Sequence, residues 1–179
     1  MRMHSWIRSL FARPVNRPFR KAPHRSRLAV EALEDRWVPS TLTVTKSGDD
    51  VTQNHTLRYA VAHAQSGDTI QITAAVKDPI VLTHGELVVS QNVTILSVPA
   101  RTPTISGNGT SRVFEISAGA SVSLENLNII DGNGLAANPS GTAADDGTGG
   151  AILDLGTLAV SDCTVSGSSV TSNGGGLAN

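Results

Sequence analysis

Five aspartates, Asp131, Asp145, Asp146, Asp154 and Asp162, gather in one Gly- and Asn-rich stretch. Two carboxylates held about 5–9 Å apart serve glycoside hydrolysis, and a carboxylate cluster beside an Arg or Lys serves calcium-assisted elimination from an acidic polysaccharide. Adjacent in a Gly-rich loop, Asp145 and Asp146 are the candidate metal ligands, with calcium as the ion. The nearest bases, Arg101 and Arg112, are not tied to these acids by spacing. Asp154 occupies the place of Asn179 in a copy 25 residues on, and Asp162 that of Asn126 in an earlier copy. Corners of that kind suit Asn and Asp, whose short side chains bond nearby backbone. A structural role is therefore assigned to Asn126, Asp154, Asp162 and Asn179, and no residue is assigned as catalytic.

The remaining reactive residue types point the same way. The single cysteine, Cys163, takes the place of Leu127 in the preceding copy, which makes it a small buried hydrophobe. It excludes an internal disulfide and a thiolate metal cluster. His55, His63 and His84 have no metal-ligand spacing. The stretch "DGTGGAILD" does not match the Gly and Asp offsets of the calcium-binding nonapeptide repeat. The N-x-S/T triplets at Asn54, Asn92 and Asn108 read as polar corners.

The elements that must position these groups are repeats. Three windows, "LVVSQNVTI", "VSLENLNI" and "LAVSDCTV", share alternating apolar residues, an Asn or Asp corner and a second alternating pair. Alternation buries one face of a strand. Strands this short cannot form hairpins with their own core, but they can stack circuit upon circuit at about 4.8 Å, so that inward side chains form apolar columns. "TGGAILD" returns 25 residues later as "GGGLAN", a length suited to one circuit of a three-sided coil. Val122 and Leu158 are 36 apart, and the surplus fits a loop over residues 131–149, protruding from the stack. The expected fold is all-β, a right-handed parallel β-helix of about four coils over residues 41–179. A capping helix is expected near 56–65, with Leu57, Val61 and Ala64 on its apolar face, Thr56 at its start and Ser66-Gly67 at its end.

Composition agrees: aromatics are 3% and charged residues 16% of 179, with 17 glycines. A narrow interior suits Val, Ile and Leu. The net charge of −1 conceals +6 over residues 1–40 and −7 over the rest. The basic, Pro-containing segment 1–40 reads as a leader rather than part of the core. No aromatic residues interleave with a basic groove, so nucleic acid is not an expected partner. No apolar run reaches the roughly 18 residues of a membrane helix.

Two stretches carry a resemblance. "VEALEDRWVPS" is similar to the L-E-x-L-E-D/P-R-x-x-P-S leader of large surface and secreted proteins of planctomycete bacteria, with Val30 in place of its first Leu, which implies export. "HTLRYAVAHAQSGDTIQI" resembles the C-S-L-R-E-A-I-x-x-A-N segment, followed by G-D-T-I, that opens many bacterial surface β-helix proteins. "GGAILDLGTLAVSDCTVSGSSVTSNGGGLAN" resembles their G-G-G-I-x-N-x-G-T-L repeats. His55 stands in place of the family's Cys and Tyr59 in place of its Glu. The resemblance implies a pectate-lyase-like architecture found in autotransporters, polymorphic outer-membrane proteins and adhesins. The expectation is an extracellular or cell-surface protein, non-enzymatic, adhesive or surface-structural, and a fragment of a longer coil. Its partners are then a cell-surface polysaccharide or another chain at the open C-terminal coil edge. The alternative is a polysaccharide-active enzyme of the same fold.

Overall fold

A computed structural model of the protein describes residues 38–77, 79–134, 147–170 and 174–179. Most of the basic leader, residues 1–37, and the candidate ligands Asp145 and Asp146 lie outside the described residues. The chain enters as β1 (Thr41–Val44) and α1 (Leu57–His63), then runs β2 (Thr69–Ile72), β3 (Ile80–Val81), β4 (Leu87–Val89) and β5 (Val93–Ser97). It continues through β6 (Thr104–Ser106), β7 (Phe114–Ile116), β8 (Ser121–Glu125), β9 (Asn128–Ile130), β10 (Ile152–Asp154), β11 (Thr157–Ser161), β12 (Thr164–Ser166) and β13 (Leu177–Ala178).

From β2 onward the strands fall in strict rotation into three parallel sheets. The first is ordered β1-β2-β5-β8-β11, the second β3-β6-β9-β12 and the third β4-β7-β10-β13. Register makes the columns explicit. Leu42, Ile70, Ile95, Leu124 and Val160 align across the first sheet. Ile80, Ile105, Ile129 and Val165 align across the second. Leu87, Phe114, Ile152 and Leu177 align across the third. Ile70, Ile95, Leu124, Ile105, Phe114 and Ile152 are all fully buried. Each stabilises the stack by about 1.5–3 kcal/mol relative to an exposed position.

At the first circuit, α1 packs on β1, β2 and β4 and drops Leu57 and Ala60 into the core. Thr56 starts it: its hydroxyl oxygen accepts from the Tyr59 amide at 3.2 Å while its hydrogen is directed at the Asp50 and Gln53 carbonyls. At the other end, β11, β12 and β13 are the last strands of their sheets. There Val160 and Leu177 are 44% exposed, although each is in register with a fully buried residue.

One sequence expectation is corrected. The window "LVVSQNVTI" runs from the third sheet into the first, through β4 and β5, whereas the other two run from the first sheet into the second. Val93 pairs with Val122, and Leu87 with Phe114. The counterpart of Asn126 on the earlier circuit is therefore Ser97, which follows Leu96 as Asn126 follows Glu125, and not Asn92. A period of two marks the inward face but carries no label for the side of the coil.

Candidate functional site

Buried charge concentrates where the chain turns into the third sheet. Asp49, its side chain 2% exposed, accepts Arg58 Nε at 2.5 Å and the backbone amides of Thr83 and His84 at 2.6 and 2.9 Å. Burial works against this carboxylate, but Arg58 and the two amides outweigh it and hold its pKa below the usual value. Arg58 also donates to the carbonyls of Gly85 and Glu86 at 2.5 and 3.0 Å. A helix residue thereby clamps the turn that leads into β4.

Directly above lies a second group. Arg112 Nη1 donates to Glu86 Oε2 at 2.7 Å and stands 3.7 Å from Glu115 Oε2. The side chains are 4%, 5% and 10% exposed for Arg112, Glu86 and Glu115 respectively. Arg112 Nε and Nη2 donate to the carbonyls of Gly149 and Thr148 at 2.9 and 3.0 Å. Glu86 Oε1 is buried without a hydrogen-bond partner. Burial and the nearby Glu115 carboxylate push the Glu86 pKa from 4.5 up to about 6, against the pull of Arg112. Among these three buried groups, the Glu86 carboxyl holds its proton to higher pH than an exposed glutamate.

The residues singled out from sequence fall elsewhere. Asn126 adopts a left-handed backbone, φ 56°. Its Oδ1 accepts from the Thr102 hydroxyl at 2.7 Å, and its Nδ2 donates to the carbonyls of Val98 and Arg101 at 3.3 and 3.1 Å. Asp162, next after the Glu125–Ser161 pair, repeats the geometry with φ 53°. Asp131 also turns a corner, with φ 52°. Asp154 ends β10 in register with Ile116 and is 4% exposed; its Oδ1 accepts the Gly156 amide at 3.0 Å. Asn179 follows β13, in line with Asp154, and is exposed. Cys163 is partly buried against the core, and burial pushes its thiol pKa up, away from a reactive thiolate.

Among the described residues no group of three or more His, Cys, Asp or Glu side chains is arranged to hold a metal ion. No described helix is long and apolar enough to cross a membrane. A shallow groove of about 250 Å³ crosses the outer face of the first sheet, with Asp68, Asn92, Thr94, Ser123 and Thr157 on its walls.

Sequence reasoning passed over Glu86 and Glu115 and weighed Arg112 only against the loop aspartates. A usable signal was present: Arg58, Glu86 and Arg112 recur at about one circuit's spacing, which stacks residues on adjacent rungs, and Glu115 is three residues from Arg112. No protein-family model matches this chain, and comparison with curated proteins and with solved structures finds no match.

Proposed function

We propose that this chain is a right-handed parallel β-helix exported to the cell surface or the extracellular space, where it serves as an adhesive or surface-structural element. The observation that supports this most is the register of aliphatic columns through three sheets visited in rotation. A coil of this kind adds a rung of surface for each repeat without a new core, which suits a long, rigid, surface-displayed scaffold. The export-type leader "VEALEDRWVPS" and the segment "HTLRYAVAHAQSGDTIQI" favour the same address.

A cell-surface polysaccharide is the proposed partner along the outer face of the first sheet, where hydroxyl and amide groups line the groove. The last rung, with Val160 and Leu177 exposed, is proposed to pair with β-structure of another chain. Fractionation of the producing cell with surface labelling tests the address. Label on the intact cell is expected, and recovery only in the cytosol refutes the proposal. Incubation with acidic polysaccharides, with and without calcium, separates binding from turnover. Retention without release of unsaturated products is expected; product release would make the chain an enzyme of this fold.

A further inference from the structure

We infer that the last rung pairs with itself: two copies of this chain join coil end to coil end about a two-fold axis through Ala159, extending the first sheet by an antiparallel seam of β11 against β11. This rests on the reading above, that the rung pairs with β-structure of another chain, and names that chain. The direction of the backbone groups supports it. The Thr157 amide donates to the Ala120 carbonyl at 2.9 Å, and the Ser161 carbonyl accepts from the Asn126 amide at 3.0 Å, both on the β8 side. Alternate residues of a strand bond to opposite sides, so Leu158 and Val160 direct their N–H and C=O groups away from β8. Among the described residues no further strand lies there, since β11 ends its sheet.

A partner strand must match both that hydrogen-bonding phase and the inward face. Antiparallel pairing centred on Ala159 does so. Leu158 of each copy meets Val160 of the other as a hydrogen-bonded pair, with both side chains on the inward face. Ala159 meets its own counterpart in a non-hydrogen-bonded pair, and Thr157 meets Ser161, hydroxyl to hydroxyl. The strand reads polar, apolar, small, apolar, polar in either direction, which is what an isologous contact requires. Moving the centre to Leu158 or to Val160 keeps the face but sets Val160 against Gly156, or Leu158 against Asp162.

The rest of the rung suits the same partner. From Leu155 to Asn179 the sequence holds one charged side chain, Asp162, and in this register it lies opposite Gly156 rather than its own counterpart. The strands β11, β12 and β13 contain no Lys or Pro of the kind that guards an exposed edge. Val160 and Leu177 are 44% exposed and Leu155 is 49% exposed. A two-fold stack would cover that apolar surface. Residues 155–170 and 174–179 fall within the about 20–30 residues that a standard interface takes from each side. Head-to-tail stacking is disfavoured, because α1 packs on β1, β2 and β4 and closes the first circuit.

Sedimentation of the full chain over a wide concentration range tests the pairing. A dimer that dissociates on dilution is expected. Val160→Lys, which puts a charge into the seam twice per dimer, is expected to weaken it about a hundredfold or more. Val88→Lys, at a similarly exposed position on β4, is expected to leave it unchanged. Crosslinking gives a second readout that leaves the inward face intact. With Cys163→Ser as background, Ala159→Cys is expected to form a disulfide-linked dimer under mild oxidation, because the paired Cα atoms stand about 4.5 Å apart. Thr157→Cys alone is expected not to crosslink, but to do so with a Ser161→Cys chain in a mixture. A chain that stays monomeric throughout overturns the proposal, whatever surface labelling shows. Open-ended polymers, a dimer indifferent to Val160→Lys, or crosslinking of Thr157→Cys without Ala159→Cys overturn it as well.

Discussion

Two side chains show how much a single position carries in this coil. Asn126 combines a left-handed backbone with three side-chain hydrogen bonds. Asn tolerates that backbone better than most residues because its amide bonds locally. Asn126→Ala is expected to cost roughly 2 kcal/mol in a denaturant melt, losing both the bonds and the backbone tolerance. Asn126→Gly, which keeps the backbone, is expected to cost about half as much. Glu86 works in the opposite sense, since its folded pKa of about 6 lies above the ordinary 4.5. The folded protein then binds more protons than the unfolded chain, so this contribution is complete below 4.5 and is lost as pH rises through 6. Allowing for solvent screening, it amounts to about 1 kcal/mol. Asp49, held below its usual value, contributes above 3.8 and loses its contribution as pH falls through its lower folded pKa. Thermal melts are expected to peak between these limits, and Glu86→Gln to flatten the decline on the neutral side.

At the scale of the element, the corners explain the repeated glycine pair. Gly149 and Gly174 both take left-handed backbones, φ 56° and 68°. Space closes the pair too: a Cβ at Gly149 would lie 2.4 Å from the Ile152 carbonyl oxygen, and one at Gly150 2.2 Å from the Gly175 carbonyl oxygen. In "TGGAILD" one glycine turns the chain and the next lets two circuits touch, and "NGGGLAN" repeats the turn at Gly174. Gly149→Ala adds a backbone clash to left-handed strain and is expected to cost more than the about 1 kcal/mol of an ordinary left-handed site. Gly150→Ala must move backbone and is expected to lose the cooperative melt of β10 against β13. Thr56 is the corresponding point on α1, where one hydroxyl both caps the helix and closes onto the Asp50–Gln53 turn. Thr56→Val, which keeps the shape and removes the hydroxyl, is expected to lower stability by about 1–2 kcal/mol, and Thr56→Ser to lower it much less.

Over the whole molecule, depth in the stack outranks residue type. Leu124 and Val160 are neighbours in one column, yet the first is fully buried and the second 44% exposed. Leu124→Ala is expected to cost about 2–5 kcal/mol through its cavity. Val160→Ala, with little covering it, is expected to cost under about 1 kcal/mol. Equilibrium denaturant melts of the two variants measure the difference, and equal losses would refute the column as the unit of stability.

Alternation in "VSLENLNI" and "LAVSDCTV", the recurrence of the glycine pair and the Thr56-led helix were legible from residue order alone, because each is a local rule of spacing. So were the inward faces of the parallel strands. The side of the coil on which each strand lies was not, so "LVVSQNVTI" reads as a copy of the other two windows although it bridges a different pair of sheets. Period two is the same on every sheet, and only pairing across a circuit separates Leu87–Phe114 from Val93–Val122. The cluster of Glu86, Arg112 and Glu115 was likewise beyond a local reading. A carboxylate and a guanidinium 26 residues apart meet only when the coil returns to the same corner. The burial that raises the Glu86 pKa belongs to that returned geometry and to nothing in its own neighbourhood along the chain. Local order therefore determined that these residues stack, and the tertiary structure alone decided which charges the stacking enclosed.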